Sequence, residues 1–178
     1  MSYHRVLSPS GGSGGGGNDP RITYAAITGG DVTSNSATGA EVAALTLATS
    51  TGIYFVTYWL TVQTETTTNG CKFSVNHDGT ATLHQALLRF PGTTTNADGL
   101  VPTPQAFPGA AARAFATTSP NLGPTLNTDT AGADVAYIVE ATVHVTGAGN
   151  MELWFASETT DDAILINNAC WVRMEKVA

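Results

Sequence analysis

The sequence has little charge, and positive charge is the scarcer kind. Charged residues make up 12% of its 178 residues, about half of the ~25% that is usual for soluble proteins. Seven Lys and Arg stand against fourteen Asp and Glu, so the formal net charge is -7. Because the seven cations are scattered along the chain, they form no basic stripe that follows a phosphate backbone. We therefore expect no direct binding of nucleic acid.

Long apolar runs are missing as well. No run approaches the roughly 18 to 20 residues that span a bilayer, and the N-terminus lacks the apolar stretch of a secretory signal. We therefore expect no membrane partner. The protein is either made and assembled in a cytosol or cut from a precursor.

Cysteine is scarce, and neither cysteine lies in a catalytic or metal-binding motif. Cys71 and Cys170 both fall inside predicted strands, outside any CxxC pattern. A disulfide would need those two strands to lie close together. We favour two buried free thiols, because Cys is often a small core hydrophobe.

Signatures of catalysis and of metal binding are absent. There is no GxSxG, no P-loop and no DxDxDG loop. Adjacent acids in a polar turn, as at Asp161 and Asp162, are usually solvated. Glu140 and Glu152, on predicted neighbouring strands, are the one carboxylate pair that a glycosidase could use, but we favour surface or interface acids. We expect no enzymatic activity, no cofactor and no metal site. The histidines have no metal-ligand spacing: His4, His77, His84 and His144.

Strand-favouring residues are what the sequence does have. Glycines and prolines separate short apolar runs, and Thr is the commonest residue, a pattern typical of an all-β domain. The longest such run is GIYFVTYWLTVQTETT at residues 52–67. Read with period two, one face carries Tyr54, Val56, Tyr58, Leu60 and Val62, and the other carries Ile53, Phe55, Thr57, Trp59 and Thr61. Because both faces carry aromatic residues, we expect the core on one side and a second buried surface on the other.

Further strands are predicted in one domain that covers residues 21–178. Residues 41–48 also fit a helix, and hairpin turns are predicted at residues 65–70 and 147–150. Six of the eight prolines lie in a long loop at about residues 91–132, which we expect to reach another subunit or form an exposed end. The other predicted strands are 21–28, 71–76, 80–90, 134–146, 151–155 and 164–175.

All three tryptophans fall on faces that the alternation does not assign to the core. They are Trp59, Trp154 and Trp171, and Phe55 shares its face with Trp59. Symmetric self-association is the simplest way to bury such a surface, so we predict that these four residues mediate it. An inverted parity or a shifted register would instead place the tryptophans in the ordinary core.

Residues 1–20, MSYHRVLSPSGGSGGGGNDP, precede the folded domain. We expect a flexible, extended arm that reaches at most about 65 Å at ~3.3 Å per residue. Its short head is predicted to be a docking peptide on a Gly-rich tether, which raises effective concentration at a partner. The alternative is that the Gly-rich run is an expression linker. The head consists of Tyr3, His4, Arg5, Val6 and Leu7.

Three segments together resemble a known family: residues 52–76, then AYIVEATVHVTGAGNMELWFASE at 136–158, then AILINNACWVRMEKV at 163–177. Their order resembles the tumour-necrosis-factor-like and complement-like jelly rolls of tailed-bacteriophage virion proteins. The resemblance covers roughly residues 49–79 and 134–177. It implies an antiparallel jelly-roll β-sandwich that trimerises, or sometimes dimerises, and has no enzymatic role.

The resemblance also implies a place in the virion. Such modules serve as capsid decoration or cement proteins, head fibres or fibre tips. The N-terminal arm favours a decoration protein on the capsid exterior, whose partner is the major capsid protein and which assembles in the host cytoplasm. A receptor- or glycan-binding tip, with residues 91–132 as the contacting surface, is the alternative, but the chain has no heptads for a coiled-coil stem.

Overall fold

The computed structural model describes residues 21–66, 70–89, 105–106, 113–114, 126–127, 131–132 and 134–178. The predicted N-terminal arm and most of the predicted loop at residues 91–132 lie outside these ranges. Within them, the chain forms short and long β-strands and one 3₁₀ turn, Ala43–Leu45. In chain order the strands are β1 (Ile22–Ala26), β2 (Val32–Ser34), β3 (Ala40–Glu41), β4 (Leu47–Thr49), β5 (Gly52–Thr64), β6 (Gly70–His77), β7 (Ala81–Arg89), β8 (Gln105–Ala106), β9 (Arg113–Ala114), β10 (Leu126–Asn127), β11 (Val135–Val145), β12 (Gly149–Ser157), β13 (Ile164–Ile166) and β14 (Trp171–Lys176).

The strands form two antiparallel sheets. Sheet A has the order β1-β14-β5-β11-β7-β8; β13 pairs with β5 and β2, and β9 pairs with β7. Sheet B has the order β10-β6-β12-β3, and β4 also pairs with β12. Long strands that follow one another along the chain mostly alternate between the sheets, as in a jelly roll. The predicted fold class, an antiparallel jelly-roll β-sandwich, is confirmed.

Strand β5 is the centre of sheet A, and its two faces are those that the alternation predicts. Tyr54, Val56, Tyr58, Leu60 and Val62 are all buried in the core. The other parity, from Ile53 to Thr61, is mostly half-buried. Strand β5 pairs with β11 on one side and with β14 and β13 on the other. Hydrogen bonding on both sides of the strand therefore holds its outer face in a fixed register.

The core between the sheets is continuous. Sheet B contributes Phe73 and Val75 from β6 and Leu153 and Phe155 from β12, all at most 3% exposed. Phe73 meets Tyr137 of sheet A, with ring centroids 5.5 Å apart. Within the described ranges, no helix has the length and hydrophobicity of a membrane-spanning segment.

Both predicted hairpins are wrong. Strands β5 and β6 flank residues 65–69 but lie in different sheets, and so do β11 and β12 around residues 146–148. Turn residues indicate that the chain reverses, but they carry no information on which sheet it enters. Crossing to the opposite sheet lets the apolar faces of both strands pack against each other across one core.

The crossings from β6 to β7 and from β11 to β12 pack side by side at one corner. The carbonyl of Thr80 accepts hydrogen bonds from the N–H groups of Thr146 and Gly147, at 2.9 and 3.0 Å. A Cβ atom at Gly79 would lie 2.5 Å from the carbonyl oxygen of Ala148. Only glycine therefore lets the two crossings approach this closely.

His77 holds the same corner from inside. It is fully buried, and its Nδ1 accepts a 3.0 Å hydrogen bond from the N–H of Gly79. Its Nε2 lies 2.7 Å from the hydroxyl of Thr49, which donates to the carbonyl of Gly149. Nε2 therefore carries the proton of a neutral imidazole. His77 is the last residue of β6.

Residues 41–48 form neither one strand nor a helix. Strand β3, the 3₁₀ turn and strand β4 follow one another there, and Val42 and Leu45 are buried. The alternation continues on both sides of the turn, and the helical tendency appears only as that single turn. Both strands pair with β12.

Both cysteines are free and buried, as favoured from the sequence. Cys71 lies in sheet B, where burial raises the pKa of its thiol to about 12. Cys170 directly precedes β14, and burial also raises its pKa. Thiols held protonated in this way are poor nucleophiles.

Candidate interaction surface

Two tryptophans stack on the outer face of sheet A. Trp59 of β5 lies directly opposite Trp171 of β14. Their ring centroids are 3.9 Å apart and their planes differ by 8°. Tyr24 of β1 lies on the far side of Trp171, with its ring centroid 6.3 Å away. We call Tyr24, Trp171 and Trp59 the aromatic ridge, because the three rings cross three neighbouring strands.

Exposed apolar side chains concentrate around this ridge. Among the described residues, the exposed large hydrophobic residues are Ile22, Tyr24, Trp171 and Val177, whose exposed fractions are 37%, 60%, 36% and 56%. All of them lie on β1, on β14 or next to the end of β14. Single exposed hydrophobic residues are normal on a protein surface. A cluster at one edge of one sheet instead indicates an interaction surface.

The charges near the ridge compensate each other. Arg173 lies opposite Tyr24, and Glu175 lies opposite Ile22. The guanidinium of Arg173 donates a 2.6 Å hydrogen bond to the carboxylate of Glu175. That bond, and secondarily the Tyr24 hydroxyl, raises the pKa of Arg173 above its usual value. The surface around the ridge therefore carries no net charge from these two residues.

A shallow pocket adjoins the ridge on the β11 side. Its volume is about 170 Å³. The main-chain carbonyl of Thr61, one of its lining residues, accepts a 2.9 Å hydrogen bond from the N–H of Asn167. The carboxylate of Asp134 accepts hydrogen bonds from the side chains of Gln63 and Asn167, both at 2.7 Å. The surface thus changes from apolar to polar over a short distance. The pocket is lined by Trp59, Leu60, Thr61, Ala136, Tyr137, Ile138, Ala169 and Trp171.

The structure brings together three of the four residues predicted for self-association. Phe55, Trp59 and Trp171 share the outer face of sheet A, and Phe55 is half-buried opposite Glu175. Trp154 lies on β12 in sheet B, on the other side of the sandwich. Its indole N–H donates a 2.8 Å hydrogen bond to Glu152. The predicted docking residues, from Tyr3 to Leu7, lie outside the described residues.

Sequence reasoning missed Ile22 and Tyr24. It placed both in the first strand but assigned neither to a face. The run Ile22, Thr23, Tyr24, Ala25 and Ala26 mixes apolar residues on both parities, so alternation alone gives no face. The one signal that could have identified this surface was Tyr24, the aromatic residue in the middle of the strand.

The carboxylate pair considered for a glycosidase is not a pair. Glu140 lies on β11 in sheet A and Glu152 on β12 in sheet B, so the prediction of neighbouring strands is wrong. Both residues alternate with core residues and point away from the core. Stacked sheets lie ~10 Å apart, so the carboxylates exceed the roughly 5 to 9.5 Å that glycosidases use. In the part of the chain that the structure describes, no three His, Cys, Asp or Glu side chains form a group that could hold a metal.

Comparisons with known proteins give distant structural neighbours only. No family model matches the chain, and no curated protein matches it. The VP2 subviral particle of infectious bursal disease virus is similar at a TM-score of 0.27 and 13% identity, covering 99% of this chain and 42% of that one. The structure of the Gx strain of the virus is similar at a TM-score of 0.23 and 16% identity, covering 99% of this chain and 42% of that one. The T=1 particles derived from the virus are similar at a TM-score of 0.23 and 15% identity, covering 99% of this chain and 41% of that one. The chain thus spans about two fifths of the length of these proteins.

Proposed function

We propose that this chain is a non-enzymatic viral structural protein that decorates or cements the head shell of a bacteriophage. It associates with further copies of itself through the aromatic ridge and binds the major capsid protein on the capsid exterior. The observation that carries the proposal is the cluster of exposed apolar side chains at the β1 and β14 edge of sheet A.

Burial of the ridge supplies the driving force for self-association. Removing a large apolar side chain from water contributes about 1.5 to 3 kcal/mol. Across a twofold axis the same patch of both copies is buried, so each ridge side chain contributes in both copies. Aromatic residues such as Tyr24 and Trp171 are also the types that dominate interface energies. A homotrimer is the state that the phage resemblance implies, and it stays a prediction.

The shortage of charge favours assembly as well. Charged groups are costly to desolvate unless they are paired. On this surface the ion pair between Arg173 and Glu175 is already made within the chain. A partner that covers the ridge therefore meets aromatic rings and a compensated ion pair, as in the core of many protein interfaces.

Attachment to the shell is assigned to the head of the N-terminal segment. Its apolar side chains, Tyr3, Val6 and Leu7, lie next to a Gly-rich tether. Several tethered heads on one oligomer multiply weak contacts into strong attachment. The oligomeric body and the heads together then fasten neighbouring shell subunits.

The test replaces Tyr3, Val6 and Leu7 by Ser in the full chain and measures binding to purified shells by co-sedimentation. We expect binding to fall by at least ~100-fold, because multivalent attachment amplifies each lost contact. Replacing Ser8, Ser10 and Ser13 by Ala is the matched control and should leave binding unchanged. Equal binding by both variants would count against attachment through the head.

A second candidate function, a glycan-binding tip, has one observation in its favour. The pocket has Trp59 and Trp171 in its lining. Thr61 of that lining accepts a main-chain hydrogen bond from Asn167, whose side-chain amide donates to Asp134. A sugar can stack its C–H face on an aromatic ring and hydrogen-bond to such side chains. Binding of the full chain to a glycan array, lost on Trp59→Ala and on Asp134→Ala, would favour this candidate.

A further inference from the structure

Strand β1 has an open side among the strands that the structure describes. It lies at the end of sheet A and pairs with β14. The carbonyl of Arg21 accepts from the N–H of Lys176, at 2.8 Å, and the N–H of Ile27 donates to the carbonyl of Cys170, at 2.9 Å. In an antiparallel ladder, alternate residues point their main-chain groups at the partner strand. The main-chain N–H and C=O groups of odd-numbered residues in β1 therefore point to β14, and those of even-numbered residues point away from it.

The main-chain N–H and C=O groups of Ile22, Tyr24 and Ala26 therefore point to the open side. No other strand among the described residues pairs there. Proteins usually protect such an edge with Lys, Pro, a bulge or a covering element. Ile22–Ala26 contains no charged residue and no Pro, and its register with β14 is uninterrupted. This edge is open to pairing with another strand.

We propose that β1 pairs antiparallel with β1 of a second copy around a twofold axis at Tyr24. Tyr24 then lies opposite Tyr24 of the second copy, and Ile22 lies opposite Ala26. Each such residue pair exchanges two main-chain hydrogen bonds, and sheet A continues from one copy into the other. The inference rests on the self-association proposed above. It makes the assembly a dimer, in place of the trimer that the resemblance implies.

The side chains favour a second copy as the occupant of this edge. Tyr24 shares the outer face with Trp171 and Trp59, so pairing would join the two aromatic ridges into one. Aromatic side chains directly opposite each other stabilise antiparallel pairs. Each copy carries a net charge of -7, yet the two would meet where β1 is uncharged and Arg173 is paired with Glu175. In this register Arg21 faces Ile27, so no like charges are opposed.

The first test measures the oligomeric state of the full chain by sedimentation equilibrium. We expect a dimer for the wild type and at least ~30-fold weaker dimerisation for Ala26→Pro, which removes one outward N–H and keeps every ridge side chain. Ala26→Ser keeps the N–H and should match the wild type. A wild-type trimer or monomer would overturn the pairing. A dimer unaffected by Ala26→Pro would overturn it too, but would leave ridge-driven self-association intact.

The second test is a covalent trap that does not depend on affinity. In a hydrogen-bonded antiparallel pair, opposite Cα atoms lie ~5.5 Å apart, a distance that a disulfide bridges. Tyr24→Cys should therefore form a cross-linked dimer on mild oxidation. Ile22→Cys should not, because the two substituted positions would be offset along the strands by four residues, or ~13 Å. Native Cys71 and Cys170 are buried, so the wild-type chain gives the background level of cross-linking. Equal cross-linking of the two variants, or none in either, contradicts the register.

Discussion

The outer faces of the two sheets differ sharply although both carry tryptophan. On sheet A, Tyr24 and Trp171 are exposed, and Trp171 contacts both Tyr24 and Trp59. On sheet B, Trp154 is half-buried and bonds to a carboxylate of its own chain. A tryptophan away from the core therefore has two roles: it can offer a surface to a partner, or it can complete a polar cluster inside its own molecule.

The sheet B cluster shows what the second role requires. Ser74, Asn76 and Glu152 lie on the outer side of this sheet, yet all are at most 7% exposed. One carboxylate oxygen of Glu152 accepts from both the Asn76 amide and the Trp154 indole, at 3.0 and 2.8 Å. Buried polar groups must be satisfied, because an unpaired one costs stability. This face is therefore a structural element of the fold, in contrast to the ridge.

The largest expected effect comes from breaking the sheet B cluster. Glu152→Ala leaves the buried Asn76 amide and the half-buried Trp154 indole without their acceptor, so we expect the free energy of unfolding to fall by about 2 to 4 kcal/mol. Glu152→Gln keeps a side-chain oxygen that can accept from both donors, so it should cost less than about 1 kcal/mol. Urea unfolding at one fixed protein concentration measures both. Equal stability of wild type and Glu152→Ala would remove the distinction between the faces.

The next largest effect compares the tryptophans directly. Trp171→Ala removes a ridge side chain, so it should weaken self-association by about 2 kcal/mol, or ~30-fold. Trp154→Phe removes the indole N–H that donates a hydrogen bond to Glu152. It should therefore lower stability by about 1 kcal/mol and leave self-association unchanged. Sedimentation and urea unfolding of both variants separate the effects. The comparison fails if Trp154→Phe weakens association as much as Trp171→Ala does.

A smaller effect of opposite sign is expected on the inner side of β5. Tyr58, adjacent to Trp59, is fully buried, and its hydroxyl has no hydrogen-bond partner among the described residues. Burial raises the pKa of Tyr58 well above its usual range, and the nearby charge of Glu152 adds to this. Tyr58→Phe should therefore raise stability by about 1 kcal/mol. A lower melting temperature in calorimetry would mean that the hydroxyl has a partner.

The smallest effect concerns the corner where the sheets meet. The carboxylate of Asp78 accepts from the main-chain and side-chain N–H groups of Asn150. The hydrogen bond from the main-chain N–H of Asn150 is the main reason why the pKa of Asp78 lies below its usual value. Its stabilisation is therefore present above about pH 4 and lost as the pH falls further. Because Asp78 is exposed, the contribution should stay below about 1 kcal/mol.

Unfolding of wild type and Asp78→Ala between about pH 7 and about pH 2.5 measures this contribution. The stability difference between them should be constant near neutral pH and shrink below about pH 4. A difference that grows toward low pH would reverse the assigned sign.

Particular residues show how far sequence reasoning reached. The alternation of β5 assigned Tyr58 to the core and Trp59 to the outside correctly, because side chains on a strand alternate with a period that the sequence shows directly. The same reasoning correctly placed Trp154 away from the core. It could not tell that Glu152 and Asn76 would bury and bond there, since those contacts depend on which strands become neighbours.

The residue pattern alone was enough to predict the all-β class, the long strands and the core parity of β5. These properties depend on the local period of two and on turn residues. The sheet that each strand enters became known only from the three-dimensional fold. The sheet assignment places Trp59 against Trp171 and Trp154 on the opposite side of the sandwich. Among the described strands, it also leaves β1 at the end of sheet A. The physical reason is that strand order depends on pairing between residues far apart in the chain, whereas the facing of a side chain depends on its immediate neighbours.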